Sequence, residues 1–308
     1  MEMLNPHCGI ERDARSVVRL AVCNAGSLNI LSSTVTDGVR EGFEKLAGDK
    51  SIRTVILTGQ SERSMIGGAD IKEMAALDQR SAEAFITRLR DLCEAIRRFP
   101  APVIARMPGW CLGGGLEVAA ACDIRIAAHD SKFGMPEVKV GIPSVIHAAL
   151  LPRLIGSGRA RWLVMAAENI DAPTALAWGL VDKVAAPGGL DDAVEHTVTA
   201  LLECGPEALR IQKELCRGWE ELPLSESVNQ SVDAFGRSYL TGEPQRMMGG
   251  FLNPPASHDK DGCVWRLNRQ PIETLACSSS IRDLDAWDKR GPHIPFRSVT
   301  AQSPLSYR

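Results

Sequence analysis

The sequence predicts an α/β protein whose mostly parallel sheet is covered by helices, with a helical region after it. Two patterns predict this class. As far as about residue 150, short apolar runs alternate with longer amphipathic runs, an order typical of βαβ units. From Leu151 onward the amphipathic runs follow one another, with one strand-like return at "WGLVDKV". At 308 residues the chain can form one large core or two small ones.

Four short, mostly apolar runs are predicted as buried strands. They are Val17 to Cys23, Thr54 to Thr58, Val103 to Met107 and Ile124 to Ala128. A strand that is apolar on both faces is typical of a parallel sheet covered on both sides. The helices between these strands therefore have to pack on the sheet.

Amphipathic runs with helical spacing lie between and after the strands. In the run from Ala82 to Phe99, one stripe carries apolar residues, and Pro100 ends it. The other predicted helices are Thr34 to Leu46, a turn-initiated helix from Gly114 to Cys122, Arg159 to Ala167, Ala172 to Gly179, Leu190 to Leu202, Pro206 to Trp219 and Leu224 to Leu240.

These patterns divide the chain into three parts. We expect an α/β core over residues 1–187 and a C-terminal helical region over residues 188–253. Residues 254–308 contain six prolines and many serines without a sustained period. We predict that this tail is disordered, and our hypothesis is that it is not family sequence, as after a shifted reading frame.

Composition and charge exclude several classes of partner. Lys plus Arg total 35 against 38 for Asp plus Glu, so the net charge of −3 gives no electrostatic basis for binding nucleic acid or an anionic membrane. The nine cysteines are scattered, without a Cys-x-x-Cys pair, as is usual for reduced thiols. The sequence has no secretory h-region and no apolar run long enough for a membrane span. We expect a cytoplasmic protein.

A triple glycine followed by two carboxylates is the most informative motif. Gly113, Gly114 and Gly115 allow close approach of the backbone to a ligand and leave N–H groups available for a developing oxyanion. Glu117 follows in the first helical turn, and Glu137 follows a Phe-Gly-Met-Pro turn. The segment between them is long enough for the two acids to meet in space. Taken alone, Glu117 is better explained as a helix-start residue stabilised by the dipole.

A second glycine turn lies upstream, in "MIGGADIKEM" after the strand "RTVILTG". Gly67, Gly68 and Ala69 can again present a free N–H to a ligand, and Asp70 lies near a helix start. Taken alone, this turn is common in strand-to-helix connections. No dinucleotide fingerprint is present, because the Gly-x-Gly-x-x-Gly spacing is absent.

Together these segments resemble the enoyl-CoA hydratase/isomerase (crotonase) superfamily. The matching pieces, in family order, are "GGADIKEM", "GWCLGGGLEVAAACDIRIA", "KFGMPEVKVGIP", "LPRLIG" and "ALAWGLVDKV". The segment "SLNIL" resembles an early element of the family, and "MMGGFLN" resembles its C-terminal helix. The resemblance covers about residues 15 to 253.

The resemblance implies a fold, a substrate and roles for particular residues. The fold is built of repeated ββα units in two roughly perpendicular sheets, with a helical trimerisation region. The substrate is an acyl-CoA thioester whose oxygen is bound by the N–H groups of Ala69 and Gly114. Glu117 and Glu137 match the two acids that hydratases use on one water. The matching substrate- and CoA-binding positions are Gly68, Asp70, Ile71, Lys72, Gly113 and Gly141.

The resemblance also implies the activity and its alternatives. It implies hydration of 2-enoyl-CoA thioesters to 3-hydroxyacyl-CoA by a homo-oligomer, a trimer or a dimer of trimers, without metal or cofactor, since CoA is part of the substrate. The alternatives are a 3,2-enoyl-CoA isomerase, which needs mainly Glu137, and a non-catalytic acyl-CoA- or RNA-binding relative. Nucleophilic chemistry by Cys111 or Cys122 is disfavoured, because no histidine lies nearby in sequence.

One segment departs from the family pattern. Hydratases carry a Pro-Gly-Ala-Gly-Gly-Thr type stretch after the second acid, whereas this chain has Ser144, Val145, Ile146 and His147 there and is about one residue shorter. Since that loop lines the acyl pocket, the identity of the acyl group stays open. We expect His147 to form a structural hydrogen bond rather than to act in catalysis.

Overall fold

The computed structural model describes residues 1–252, in which eleven strands form two sheets. The strands are β1 (Glu2–Asn5), β2 (Cys8–Arg12), β3 (Val17–Val22), β4 (Thr54–Gly59), β5 (Ser64–Ile66), β6 (Val103–Met107), β7 (Trp110–Leu112), β8 (Ile124–Ala127), β9 (Lys132–Gly134), β10 (Ile170–Asp171) and β11 (Lys183–Val184). The larger sheet has the order β1-β2-β3-β4-β6-β8-β11, and the smaller has the order β10-β9-β7-β5.

Most strand pairs are parallel, as the sequence predicts. From β3 to β11 every neighbouring pair of the larger sheet is parallel, whereas β1, β2 and β3 form an antiparallel meander at one edge. In the smaller sheet, β5, β7 and β9 are parallel and β10 is antiparallel. The predicted α/β class is confirmed.

The helices cover the sheets and then continue alone toward the C-terminus. They are α1 (Ser33–Ala47), α2 (Ile71–Met74), α3 (Gln79–Arg98), α4 (Gly114–Ala120), α5 (Leu151–Ile155), α6 (Ser157–Ala166), α7 (Ala172–Trp178), α8 (Leu190–Leu202), α9 (Pro206–Glu221), α10 (Leu224–Ser238) and α11 (Glu243–Leu252). Short 3₁₀ turns span Glu137–Val140, Ile146–Leu150 and Tyr239–Thr241. Within the described residues, no helix combines the length and apolarity that crossing a membrane needs.

Both faces of the larger sheet are buried. On one face, alternate strand residues such as Leu20 and Leu57 pack in the main core with α1 and α3. On the other face, Ile56 and Ile104 pack in a second cluster that includes Val194 of α8. This double coverage explains why the strands are apolar throughout rather than alternating.

Helix α3 shows how local sequence defines an element. Its buried residues are the predicted stripe, namely Phe85, Leu89, Leu92, Cys93 and Ile96. It begins three residues earlier than predicted, because the Asp78 side chain accepts a hydrogen bond from Ser81 N at 2.8 Å and the Ser81 hydroxyl accepts one from Asp78 N at 2.9 Å. This capping box satisfies donors that would otherwise be unpaired.

The other strands and helices predicted with stated ends are confirmed with ends shifted by two residues or fewer, whereas the strand-like run "WGLVDKV" contains only the two residues of β11. Strand β6 and helix α8 have the predicted ends. Helix α4 stops at Ala120 rather than Cys122. The hairpin of β1 and β2 was not predicted, since its strands are short and half polar.

The C-terminal helices are joined to the α/β part by buried polar contacts. Lys213 of α9 is 9% exposed, and its ammonium donates to the carbonyl oxygens of Ile96 and Ala101 at 3.0 and 3.2 Å. The same nitrogen lies 2.7 Å from the Asp123 carboxylate. The predicted boundary at residue 187 stays a prediction, and the predicted tail of residues 254–308 lies outside the described residues.

Candidate active site

In the upstream predicted turn, the N–H groups of Gly68 and Ala69 have no acceptor among the described residues. Leu31 bridges to Ala69: Leu31 N donates to Gly68 O, and Asp70 N donates to Leu31 O, both at 2.9 Å. This pairing uses the groups on either side of Ala69 N, which has no acceptor among the described residues. Gly68 has a φ of +122°, which favours glycine strongly. The turn thus holds the Ala69 N–H free for a ligand.

The triple-glycine turn brings another such N–H group, that of Gly114, close to the N–H of Ala69. Gly113 has a φ of +51° and donates to Gly134 O at 2.9 Å. Gly114 N opens helix α4 and has no acceptor among the described residues. A Cβ placed on Gly114 would lie 4.0 Å from Ala69 N and only 2.7 Å from Leu89 Cδ2. The two turns therefore meet, and a side chain at Gly114 would occupy the space between the donors.

Glu117 lies on the first turn of α4 and is almost completely buried, with 4% exposed. Its Oε1 accepts a hydrogen bond from Ala148 N at 2.9 Å, and its Oε2 lies 4.0 Å from the Cβ position of Gly114. Burial raises the pKa of Glu117 to about 8; the Ala148 N–H opposes the rise, and the nearby Glu137 charge adds to it. One carboxyl oxygen is fixed, and the other faces the oxyanion turns.

Glu137 begins the 3₁₀ turn Glu137–Val140 and is half-buried. Its Oε2 accepts a hydrogen bond from the Ser144 hydroxyl at 2.9 Å. Its Oε1 lies 2.5 Å from the position that a Cβ on Gly113 would take, so any larger residue there would displace this carboxyl. Burial raises the pKa of Glu137, while its own N–H and the Ser144 hydroxyl lower it.

One cavity of about 670 Å³ joins these groups. The predicted site residues on its wall are Gly68, Ala69, Ile71, Gly113, Gly114, Glu117 and Glu137. The rest of the wall is mainly apolar, with contributions from Met74, Leu77, Phe85, Ile86, Leu89, Ile142 and Val145. The structure therefore places two free N–H donors and two carboxyls against a space suited to an apolar group.

Three predicted binding residues do not line this cavity. The Asp70 carboxylate caps α2 through one oxygen, Oδ1, which accepts from Lys72 N at 2.8 Å and from Glu73 N at 3.2 Å. Lys72 is exposed and follows Ile71, which does line the cavity. Gly141 has a φ of +83° and ends the turn that begins at Glu137, a conformation that favours glycine, and its binding role stays a prediction.

The departing loop supplies contacts that the sequence did not predict. His147 lies outside the cavity wall and is hydrogen-bonded through Nε2 to Glu94 Oε1 at 3.0 Å, in keeping with its predicted structural role. Burial lowers the pKa of His147. Ser144 and Ala148, which hold Glu137 and Glu117, were not predicted as site residues. Ser144 was detectable as a polar residue in place of glycine, but a backbone donor such as Ala148 leaves no sequence signal.

The cysteines beside the site are poor nucleophiles. Burial raises the pKa of Cys122 to about 12 and also raises that of Cys111 far above its usual value. Within residues 1–252, no three His, Cys, Asp or Glu side chains gather where they could hold a metal ion. The expectation of a reaction without metal or cofactor stays a prediction.

Known proteins match this chain in sequence over most of its length. The model of the family described as enoyl-CoA hydratase/isomerase matches residues 12–253. The chain is 31% identical over 244 residues to a short-chain-enoyl-CoA hydratase of Clostridium acetobutylicum, covering 79% of this chain and 93% of the relative. It is 32% identical over 244 residues to a crotonyl-CoA hydratase of Syntrophomonas wolfei, covering 79% and 94%.

Solved structures of enoyl-CoA hydratases are similar to this chain in fold. A crystal structure of enoyl-CoA hydratase from Mycobacterium smegmatis superposes with a TM-score of 0.77 at 29% identity, covering 80% of this chain and 96% of that chain. An enoyl-CoA hydratase structure from Bacillus anthracis gives a TM-score of 0.76 at 28% identity, with the same coverage. The chain therefore belongs to the enoyl-CoA hydratase/isomerase family and is an enoyl-CoA-hydratase-like member of the crotonase superfamily.

Proposed function

We propose that this protein hydrates 2-enoyl-CoA thioesters to 3-hydroxyacyl-CoA. The observation that carries the proposal is that one cavity is lined by Glu117, Glu137 and two N–H groups that have no acceptor among the described residues. The two candidate activities of the family differ in the acids that they need: hydration uses both carboxyls, whereas isomerisation needs mainly Glu137. Both acids are present, and relatives described as enoyl-CoA and crotonyl-CoA hydratases support the same activity.

The N–H groups of Ala69 and Gly114 would bind the thioester oxygen. Adding water to the conjugated double bond moves negative charge onto that oxygen and forms an enolate. Two fixed donors in a cavity oppose this charge without having to reorient, and each such donor typically contributes about 10²–10³ in rate. The lack of other acceptors for these N–H groups in the described residues leaves them ready for the substrate.

The two carboxyls would transfer the protons. Glu117, as carboxylate, takes a proton from water while the water oxygen bonds to C3, and Glu137, as acid, gives its proton to C2. The elements of water are thus added, and a proton moved between the acids restores the starting state. Raised pKa values suit groups that must both accept and donate, a role worth about 10²–10⁴ in rate. The reverse assignment of acid and base is the alternative, since the charges of the two groups are coupled.

The same cavity would accommodate the rest of the substrate. Its apolar wall suits an aliphatic acyl chain, and exposed Lys72 beside Ile71 is the proposed contact for the CoA portion. Gly68 and Gly113 contribute through backbone shape. CoA enters as part of the substrate, and a cytoplasmic location stays a prediction that cell fractionation can test.

We also propose a homo-oligomer, a trimer or a dimer of trimers. Helix α10 exposes an apolar stripe at helical spacing: Leu224, Val228, Val232 and Phe235, followed by Tyr239. Within this stripe Phe235 is 68% exposed, which is unusual for a large apolar side chain in a stripe of this length. Sedimentation should show a trimer or hexamer, and Phe235→Asp should shift it toward monomer; a monomeric wild type would contradict the proposal.

Hydration is tested with crotonyl-CoA, whose absorbance is lost when water adds to its double bond. Glu117→Gln and Glu137→Gln should each lower kcat by orders of magnitude while binding of a CoA ester stays nearly unchanged. Conversion of a 3-enoyl-CoA without any hydration would instead support the isomerase. Salt-dependent RNA retention by a protein that hydrates no enoyl-CoA would support the non-catalytic alternative.

A panel of 2-enoyl-CoA substrates of different length and branching then defines the acyl group. An unchanged kcat in Glu117→Gln would refute the hydratase mechanism.

A further inference from the structure

The Ser144 hydroxyl gives Glu137 a side-chain hydrogen bond that the resembled family pattern does not provide. The donor and acceptor, Ser144 Oγ and Glu137 Oε2, are 2.9 Å apart. The pattern has glycine after the proline, and a glycine has no hydroxyl. Ser144 itself is half-buried and is not on the cavity wall, so its hydroxyl reaches Glu137 from outside the cavity.

The backbone around Ser144 is fixed by its surroundings. Ile146 has a φ of +39°, in a region that β-branched residues rarely adopt, and such strain costs about 1–3 kcal/mol. The next residue, His147, is buried and bound to Glu94 of α3 at 3.0 Å. One residue later, Ala148 N donates to Glu117. A strained loop with these attachments keeps Ser144 in one place.

The hydrogen bond divides the two oxygens of Glu137 between different tasks. Oε2 is occupied by Ser144. Oε1 lies against the backbone of Gly113, the residue before the proposed oxyanion donor Gly114. In the cavity, Oε1 is thus the oxygen beside the atoms that the thioester would bring. A carboxyl with neither oxygen held could rotate and present either one.

We propose that Ser144 is a positioning residue for Glu137, holding Oε2 so that Oε1 exchanges the proton with C2 of the acyl group. The inference rests on the proposed function. In this step the C2–H bond breaks, Oε1 takes the proton, and the electron pair passes to the thioester oxygen as an enolate. The return step reverses these changes. Ser144 keeps its own proton throughout, which distinguishes it from Glu137.

Exchange of the C2 protons of butyryl-CoA in D₂O isolates this step, because a saturated thioester cannot be hydrated. Proton NMR follows the loss of the C2 signal. Ser144→Ala should slow both exchange and crotonyl-CoA hydration by about tenfold to hundredfold with little change in KM, as expected for the loss of a hydrogen bond to a charged group. Ser144→Thr keeps a hydroxyl and should restore both rates to within about threefold.

Ser157→Ala is the matched control, since Ser157 is exposed at the start of α6 and its side chain makes no hydrogen bond among the described residues. If Ser144→Ala does not fold, Ser144→Gly, which restores the family residue, should show the same two losses. Wild-type exchange and hydration in a folded Ser144→Ala or Ser144→Gly would overturn the inference alone, as would equal losses in the alanine and threonine variants. A wild-type protein that neither hydrates nor exchanges would overturn the proposed function as well.

Discussion

Replacing Glu117 by glutamine should make the folded protein more stable while it abolishes turnover. Glu117 has a pKa of about 8 in the folded protein against 4.5 as the ordinary value, because burial disfavours its charge. The folded state therefore binds this proton more tightly than the unfolded chain does. For a carboxyl with a raised pKa, stability is lost as pH rises from 4.5 to 8 and is constant above that range.

The structure gives the size of the effect. Each pKa unit corresponds to about 1.36 kcal/mol. Integration from the unfolded pKa gives a cost on the order of 1 kcal/mol at pH 5, about 3 kcal/mol at pH 7 and about 5 kcal/mol above pH 8.5. Glutamine carries no charge, keeps the shape of the side chain and can still accept from Ala148 N. Glu117→Gln should remove most of this cost.

Urea unfolding followed by tryptophan fluorescence, at a series of pH values from 5 to 9, measures the difference between wild type and variant. The gain in the variant should grow with pH up to about 8. Glu168→Gln is the control, because Glu168 is exposed and makes no ion pair among the described residues. A gain that does not change with pH, or a variant less stable than wild type at pH 8, would refute the assignment of a buried, high-pKa carboxyl.

Three further predictions concern the same cavity. Gly113→Ala should lower kcat at least about a hundredfold, because the new Cβ would lie 2.5 Å from Glu137 Oε1, and should cost about 1–2 kcal/mol of stability at a φ of +51°. The control is Gly158→Ala, since Gly158 has open space around it. An unchanged kcat in Gly113→Ala would contradict the prediction. The kcat/KM should have a bell-shaped dependence on pH, because the pair must carry one proton for C2 and one carboxylate for water; a profile that does not fall at high pH would contradict the two-acid mechanism. Lys72→Ala should raise KM for CoA thioesters several-fold, less so at high salt, with kcat nearly constant; an unchanged KM would remove Lys72 from the CoA contact.

The fold was predictable from sequence where burial alone defines the element. Strand β6 and helix α8 have apolar patterns with a single interpretation, and their ends agree with prediction. The start of α3 was misplaced because its capping box extends beyond the apolar stripe. The hairpin of β1 and β2 was missed because short strands that are partly solvated give little apolar signal.

The site was predictable in its groups but not in their supports. The glycine turns and the two acids carry residue types that point directly to oxyanion binding and proton transfer, and the structure brings them to one cavity. The loop that holds the acids depends on a β-branched residue, Ile146, in a backbone region that its side chain disfavours. No local preference predicts such a conformation, so the contacts of Ser144 and Ala148 could be found only from tertiary structure.

The buried Lys213 has a consequence for how the chain is made. Its partners, the Asp123 carboxylate and the carbonyls of Ile96 and Ala101, are synthesised about 90 residues or more before it. Until helix α9 has left the ribosome, the carbonyl of Ala101 lacks this donor and has to stay hydrated, because a buried polar group without its partner costs about 1–3 kcal/mol. The α/β part therefore reaches its final packing late in synthesis, and a chain that terminates before residue 213 should be a substrate for proteolysis rather than a smaller working enzyme.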